Sequence, residues 1–281
     1  MPKIKKKLTK EDVKEQEVMQ EVEEIEEKEI KEEVKKETKE REKKKFDVEG
    51  WKPKSSLGKK VKAGEIKEIN EIIDKGQKIL EPEIIDILLP DLTQDLLLIG
   101  QSKGKFGGGQ RRIFRQTQKK TREGNKPHFA TAAVVGNGNG YVGVGYGKSK
   151  ETVPAREKAI RNAKLNIIKI KRGCGSWQCG CKEPHTIPYT VIGKVGSSII
   201  KLIPAPKGTG LAVEKECAKI LKIAGIKDVW SKTYGQSRTK INLIAACVVA
   251  LKKLAEIKIK PEDIENLGIV EGKIKKKEDE E

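Results

Sequence analysis

Cys174, Cys179, Cys181 and His185 fall within one short stretch, CGSWQCGCKEPH. Three thiols and an imidazole are a ligand set that suits zinc, which closes a tetrahedron on four sulfur or nitrogen donors. A closed site of that kind pins a turn that has little core of its own. The spacing C-x4-C-x-C-x3-H departs from the paired C-x2-C knuckles of common zinc modules. A second reading therefore stands beside it, a reduced turn shaped by Gly173, Gly175 and Gly180. Trp177, inside the turn, either stacks on a base or packs on the metal loop. Cys217 and Cys247 lie in apolar helical surroundings and read as core residues.

Positive charge is the other chemical resource. Arg111, Arg112, Arg115, Lys119, Lys120, Arg122 and Lys126 crowd one Gly-rich stretch before residue 128. Flexible backbone with Arg and Lys suits close approach to phosphates, the contacts that fix position on a nucleic acid rather than read its sequence. Lys148 and Lys150 precede a helix that also carries Arg156, Lys158, Arg161 and Lys164. A helix start favours anions through its free N–H groups and its dipole. Lys207, Lys232, Arg238 and Lys240 mark later loops. The alternative throughout is a solvated basic surface.

Two nucleotide motifs are tempting and fail on placement. Gly138, Gly140 and Gly143 match G-x-G-x-x-G, but the dinucleotide version sits between a strand and a helix. Here the glycines fall inside a predicted hairpin. Gly147, Lys148 and Ser149 resemble the end of a P-loop, yet the required upstream Gly is Val142. The loop PAPKGTGLA bears a faint likeness to the phosphate loop of galactokinase-type enzymes and keeps an enzyme alternative in view. With only two histidines, His128 and His185, no Ser/His/Asp set or carboxylate pair emerges.

These groups need elements to hold them. Ala130–Gly136 and Tyr141–Gly145 read as strands joined at Asn139 and Gly140, a pair suited to a type I′ turn. The helix VPAREKAIRNAKLNIIKIK follows, with Pro154 in its first turn and Ala155, Ala159, Ala163 and Ile167 toward the sheet. Residues 47–100 read as short helices, including Glu65–Lys75 and Glu83–Leu89, and residues 101–128 as a basic loop. Ile187–Ile192 and Ser197–Leu202 form a second hairpin. Residues 214–224 form a helix, Ile226–Trp230 a short strand and Ile241–Leu254 an apolar helix with Thr239 near its N-cap.

The expected organisation is a charged extension (1–46), short helices (47–100), a sheet-and-helix domain with its basic loop (101–171), a Cys-rich linker (172–186), a C-terminal α/β domain (187–256) and a charged tail (257–281). The extension is either solvated helix or disordered. It holds 15 basic and 15 acidic side chains, so the whole excess of +18 lies in the remainder, 45 against 27. That favours a folded polyanion binder over a basic tail. Hydrophobic residues make up 36% and aromatics 4%, so the cores are small and aliphatic. No apolar run reaches the roughly 18 residues of a membrane span, and no signal-peptide core opens the chain. A cytoplasmic protein with free or metal-bound thiols is expected.

Several segments carry a family resemblance: EPEIIDILLPDL, KPHFATAAVVG, AVVGNGNGYVGVGYGKSKE, REKAIRNAKLNIIKIKRGCGSW, PHTIPYTVIGKVGSSIIKLIPAPKGTGLA and IAGIKDVWSKTYGQSRTKINL. From about Leu57 to Leu254 the chain resembles the ribosomal protein S-five family of the small subunit, in its archaeal and eukaryotic form. The resemblance implies an α+β chain: a double-stranded-RNA-binding-like sheet and helix, then the family's βαβ-type second domain. It implies a ribosomal constituent, not an enzyme, that binds small-subunit rRNA near the body–head junction. It also implies a place on the mRNA entry path beside small-subunit proteins two, three and four, with effects on assembly and decoding accuracy. No small-molecule substrate, no membrane and no cofactor beyond zinc are expected. Residues Thr121 to Lys126 match the family's loop before the first hairpin, and Phe106–Arg115 is extra sequence. The Cys cluster looks like the archaeal form. A free RNA-binding or chaperone module is the competing reading.

Overall fold

The computed structural model describes residues 50–102 and 111–272. The extension 1–46, much of the extra segment 106–115 and the end of the tail lie outside the described residues.

Three short helices open the described chain: α1 (Ser56–Lys62), α2 (Ile69–Asp74) and α3 (Glu83–Leu88). The Ser55 hydroxyl caps α1 by accepting from Gly58 N–H. The expected helix Glu65–Lys75 is shorter than its pattern: the turn after α1 runs through Glu65, and the chain stays irregular to the extended N-cap Glu68. Ile69 and Ile72 are its buried positions.

Residues 93–97 correct the expectation of helix there. They form strand β1 (Thr93–Leu97), paired antiparallel with β3 (Gly124–Gly136). Pro90 has ended α3, and the open edge of β3 supplies backbone partners that a further helix would leave unused. The buried Glu216 carboxylate fixes the end of β1 by accepting from Leu98 N–H at 2.8 Å.

The basic loop 101–128 is also corrected. Residues Arg115–Thr121 form β2, which pairs with the first half of β3 from Arg115 opposite Ala130 to Thr121 opposite Gly124. Gly124 takes φ +112°, a conformation that closes this turn. Strand β4 (Tyr141–Ser149) then pairs along β3, and β5 (Ile167–Lys169) along β4.

The connection from β3 to β4 is not a two-residue turn. It spans residues 137–140, with positive φ at Gly138 and Gly140 only. The Asn137 side chain accepts from Asn139 N–H and Tyr141 N–H, an Asx arrangement that replaces the expected type I′ turn.

Helix α4 (Thr152–Leu165) packs on this sheet with Ala155, Ala159 and Ala163 fully buried. Its seat is made of glycine. A Cβ on Gly143, Gly145 or Gly147 would lie 2.1–2.2 Å from backbone of α4. Two strand residues advance about 6.8 Å and four helix residues about 6 Å. Glycines at i, i+2, i+4 can therefore face alanines at i, i+4, i+8. Ile167, expected on the helix, belongs to β5.

The second sheet runs β7 (Val191–Val195), β8 (Ser198–Pro204), β10 (Val229–Gly235) and β9 (Leu211–Ala212). Its hairpin turns at Gly196 and Ser197, later than the expected Gly193–Gly196, because Gly193 is needed inside β7. There a Cβ would sit 2.0 Å from Ala246 O of helix α6 (Lys240–Glu256). Strands β9 and β10 are parallel, linked by α5 (Lys215–Ile223), which gives the expected βαβ unit. The short strand expected at 226–230 starts later and runs to Gly235.

One core joins the two sheets. Val134, Val142 and Val144 of the first sheet share it with Ile220 and Leu221 of α5, Ile244, Cys247 and Leu251 of α6, and Ile200 and Leu202 of the second sheet, so Cys217 and Cys247 are core thiols. The charged tail is the last correction. Helix α7 (Pro261–Leu267) and strand β11 (Val270–Glu271) turn back, and β11 pairs with β6 (Lys171–Arg172).

Candidate metal centre and nucleic-acid interface

The four sequence-chosen ligands converge. The Sγ atoms of Cys174, Cys179 and Cys181 and a ring nitrogen of His185 all lie within 4.8 Å of one another. The Cys174 and Cys181 sulfurs are 3.6 Å apart, and Cys179 Sγ is 3.8 Å from His185 Nε2. Zinc–sulfur bonds of about 2.3 Å in a tetrahedron put sulfurs about 3.8 Å apart. The donor set therefore fits zinc in identity, number and spacing.

Backbone holds the cluster from three sides. Cys174 N–H donates to Leu267 O at 2.7 Å, tying the first ligand to the end of α7. Gly268, in the left-handed region, lies against Lys182, where a Cβ would meet Lys182 O at 1.8 Å. Gly173 and Thr186 exchange two backbone hydrogen bonds across the base of the turn. Trp177 settles its own question: at 89% exposed it does not pack on the metal loop.

The thiols differ in character. Burial, with the neighbouring Cys181 and Cys179, pushes the Cys174 thiol up to about 11. The backbone N–H groups of Lys207 and Cys181 bring Cys179 down to about 6. In metal-free protein Cys179 should thus be thiolate at neutral pH, the reactive and ligating form. Iodoacetamide is expected to label Cys179 first, at a rate that levels off above about pH 7. Cys217, raised by its hydrogen bond with Cys247 and by burial, should label only on unfolding. Peptide mapping reads the order; uniform labelling of Cys174 and Cys179 would contradict it.

His185 presents Nε2 to the sulfurs because its other nitrogen is occupied. Nδ1 lies 2.8 Å from Asp228 Oδ2, with both side chains buried. Nothing in the spacing around Asp228 pointed to this role, since a single Asp before a strand has no pattern to read.

Residues 111–150 carry nine Lys or Arg against one carboxylate, Glu123. Arg115 lies opposite Ala130, and Ala130 lies opposite Lys148; Lys119 lies opposite Lys126. Paired residues in a sheet point to one face, as do residues two apart. So Arg115, Lys119, Lys126 and Lys148 share a face with Val134 and Val144. The face that is core beneath the second domain becomes cationic where the β2–β3 ribbon extends past it.

Arg112, Arg115, Lys119, Lys120, Arg122, Lys126, Lys148 and Lys150 are all exposed. Lys126 is the one with an ion pair, 2.8 Å to Glu123. Arg111 is a strut: its guanidinium donates to Gly100 O and to Arg238 O. That bond places Arg238, before α6, beside the root of the ribbon. Lys148, Lys150, His128 and Lys158 line one hollow at the start of α4. Arg156 and Arg161 are exposed on α4, but Lys164 is not available, since Asp86 holds it at 2.6 Å. Lys207 stands apart from the ribbon, paired with Glu183 at 2.7 Å beside the metal cluster.

The phosphate-loop readings end on hydrogen bonds. Gly138 and Gly140 donate to Ile223 O and Ala224 O, at the C-terminal end of α5. A helix C-terminus carries partial negative charge and repels phosphate. The N–H groups of Gly208 and Gly210, in the loop resembling the galactokinase type, both donate to Asp228 Oδ1. None of the four is left for a nucleotide.

Comparison with known proteins finds two family models in order along the chain. The family model described as Ribosomal protein S5, N-terminal domain, matches residues 113–171, and that for the C-terminal domain matches residues 193–265. Small ribosomal subunit protein uS5 of Nanoarchaeum equitans is 48% identical over 228 residues, covering 81% of this chain and 98% of that protein. The uS5 protein of Methanocaldococcus jannaschii is 46% identical over 230 residues, 82% of this chain and 99% of its own length. That of Methanococcus maripaludis strain C6 is 45% identical over 233 residues, 83% and 95% respectively. These relatives are named as ribosomal proteins and not as enzymes. Two matched domains in order, and identity over nearly the full length of each relative, place the chain in the ribosomal protein S5 (uS5) family.

Proposed function

We propose that the protein is built into the small ribosomal subunit by its β2–β3 ribbon and the adjoining face, which grip rRNA phosphates. As a uS5 protein it is a structural constituent of the cytoplasmic ribosome and not an enzyme. Among the described residues no helix is long and apolar enough to cross a membrane.

The observation that carries the rRNA reading is the register of the ribbon. Lys119 faces Lys126 directly, a like-charge pairing that costs stability in a free sheet and that the solvent-exposed Glu123–Lys126 ion pair offsets only in part. It is tolerated where a polyanion screens both charges. The strands β2, β3 and β4 with α4 behind them also support a double-stranded-RNA-binding-like unit. On this reading the ribbon faces rRNA near the body–head junction, beside the mRNA entry path and small-subunit proteins two, three and four. Assembly and decoding accuracy follow from holding that junction.

The test is the salt dependence of rRNA binding. The triple variant Arg115→Glu, Lys119→Glu, Lys126→Glu should bind isolated small-subunit rRNA more weakly. The slope of log affinity against log salt should flatten by about 2–3, as three phosphate contacts are lost. An unchanged slope would remove the ribbon from the interface. Recovery of the unsubstituted chain only in free fractions, never in salt-washed small subunits, would favour a free RNA-binding module instead.

We further infer that Cys174, Cys179, Cys181 and His185 hold a structural zinc. The ion supplies the cross-link that a turn rich in Gly and charge cannot obtain from apolar packing. Support comes from the ligand spacing and from the N–H groups that favour the Cys179 thiolate.

A further inference from the structure

We propose that Asp228 is a positioning residue of the metal centre, one that sets which nitrogen of His185 can ligate and locks the 204–212 loop to the site. The inference rests on the zinc reading above. One carboxylate serves two partners: Oδ2 lies 2.8 Å from His185 Nδ1, and Oδ1 accepts from Gly208 N–H at 3.1 Å and Gly210 N–H at 2.8 Å. Its backbone closes the arrangement, since Lys227 N–H and Asp228 N–H both donate to His185 O. Histidine and aspartate are thus joined at side chain and main chain, both nearly out of water.

The chemistry follows from the acceptor-only nature of a carboxylate. Facing Oδ2, Nδ1 must carry the ring proton. In the neutral, ligating form of the ring Nε2 is then the unprotonated nitrogen, and it is the one that points at Cys179 Sγ. A metal ligand needs that lone pair. Asp228 also orients the ring about its own axis, which backbone alone does not do. The same carboxylate holds the loop that supplies Lys207 N–H to Cys179. One acid therefore supports two of the four ligands, His185 directly and Cys179 through the loop.

Substitution by Asn breaks this arrangement whichever way the amide turns. With nitrogen toward His185, the amide donates to Nδ1 and moves the ring proton to Nε2. With oxygen toward His185, the amide nitrogen faces two N–H groups that need an acceptor. Outer partners of this kind typically change metal affinity about 10–100-fold.

The experiment uses the full chain loaded with cobalt(II), whose visible spectrum reports tetrahedral sulfur and nitrogen coordination. The expected result for Asp228→Asn is a cobalt affinity reduced about 10–100-fold and a spectrum that moves to that of His185→Ala. Asp228→Glu, which keeps an acceptor, should recover the parent spectrum in part. Wild-type affinity and spectrum in Asp228→Asn, with tight binding by the parent, would overturn the role of Asp228 alone. A parent chain with no tetrahedral spectrum would overturn the zinc reading and this inference with it.

A measurement on the unsubstituted chain guards against a variant that fails to fold. With only two histidines present, ring nitrogen resonances of the zinc-loaded protein are assignable. Protonated Nδ1 and metal-bound Nε2 at His185 support the proposal; metal on Nδ1 refutes it.

Discussion

A chain carrying Cys181→Ser should lose stoichiometric zinc and melt about 10 °C lower than the parent. Free energy of metal binding is folding free energy where the site does not exist in the unfolded chain. Zinc in finger peptides contributes roughly 10–16 kcal/mol. The two sheets here have a shared core of their own, so only part of that magnitude should appear in global stability. About a third of it, at about 2–4 °C per kcal/mol for a folded region of this size, gives the expected fall. Chelating the parent should reproduce the shift, and chelating the variant should add nothing. Full zinc content in the variant, or a fall of less than about 2 °C, would show that the turn is held by its glycines and backbone hydrogen bonds alone.

The second large effect is expected at Gly145. A Cβ there would lie 2.1 Å from Ala163 N and 2.4 Å from Ala159 O, both backbone atoms of α4. A side chain can rotate away from an intruder, but a helix backbone can only move as a body. Gly145→Val should therefore cost more than the roughly 1–3 kcal/mol of ordinary overpacking. The helix would have to lift from the glycines on either side as well. Denaturant unfolding monitored on the full chain gives the number. A loss under about 1 kcal/mol would mean that α4 does not sit this close to β4. Gly180→Ala is the matched control. Its Cβ meets nothing within 4 Å, and its φ lies outside the left-handed region, so little change is expected.

Much of this seat was legible in the sequence. Ala155, Ala159 and Ala163 recur at one helical face, and the glycines of YVGVGYGKS recur at strand period. Both patterns are local, and each specifies a surface. What the sequence did not yield was partner choice. Residues 93–97 have no strong strand pattern; they are a strand because β3 has an edge beside them and Glu216 receives Leu98 N–H. The stretch QTQKKT looked like loop because its apolar content is negligible. It is a strand because β3 runs on past the core and offers it a backbone ladder.

The candidate metal site divides in the same way. Its four ligands lie close in sequence and could be chosen by residue type alone. Asp228 is 43 residues from His185, and only the β10 entry brings it there. The basic residues were identified as a group, but not their sorting. Alternation put Arg115, Lys119, Lys126 and Lys148 on one face, while Lys164 and Lys207 were claimed by Asp86 and Glu183. Pairings of that kind depend on long-range proximity, which no window of sequence contains.

The returning strand β11 has a consequence for how the protein is made. Arg172, nearly out of water, donates to Gly272 O, a residue 100 positions later in the chain. Cys174 likewise waits for Leu267. At synthesis rates of about 5–20 residues per second, a nascent chain carries its cysteines for about 5–20 s before these partners exist. During that interval both sheets can begin to assemble while the ligand turn lacks one of its walls. On the zinc reading, the ligand turn is complete only once residue 267 has been made, so metal capture comes late in biogenesis.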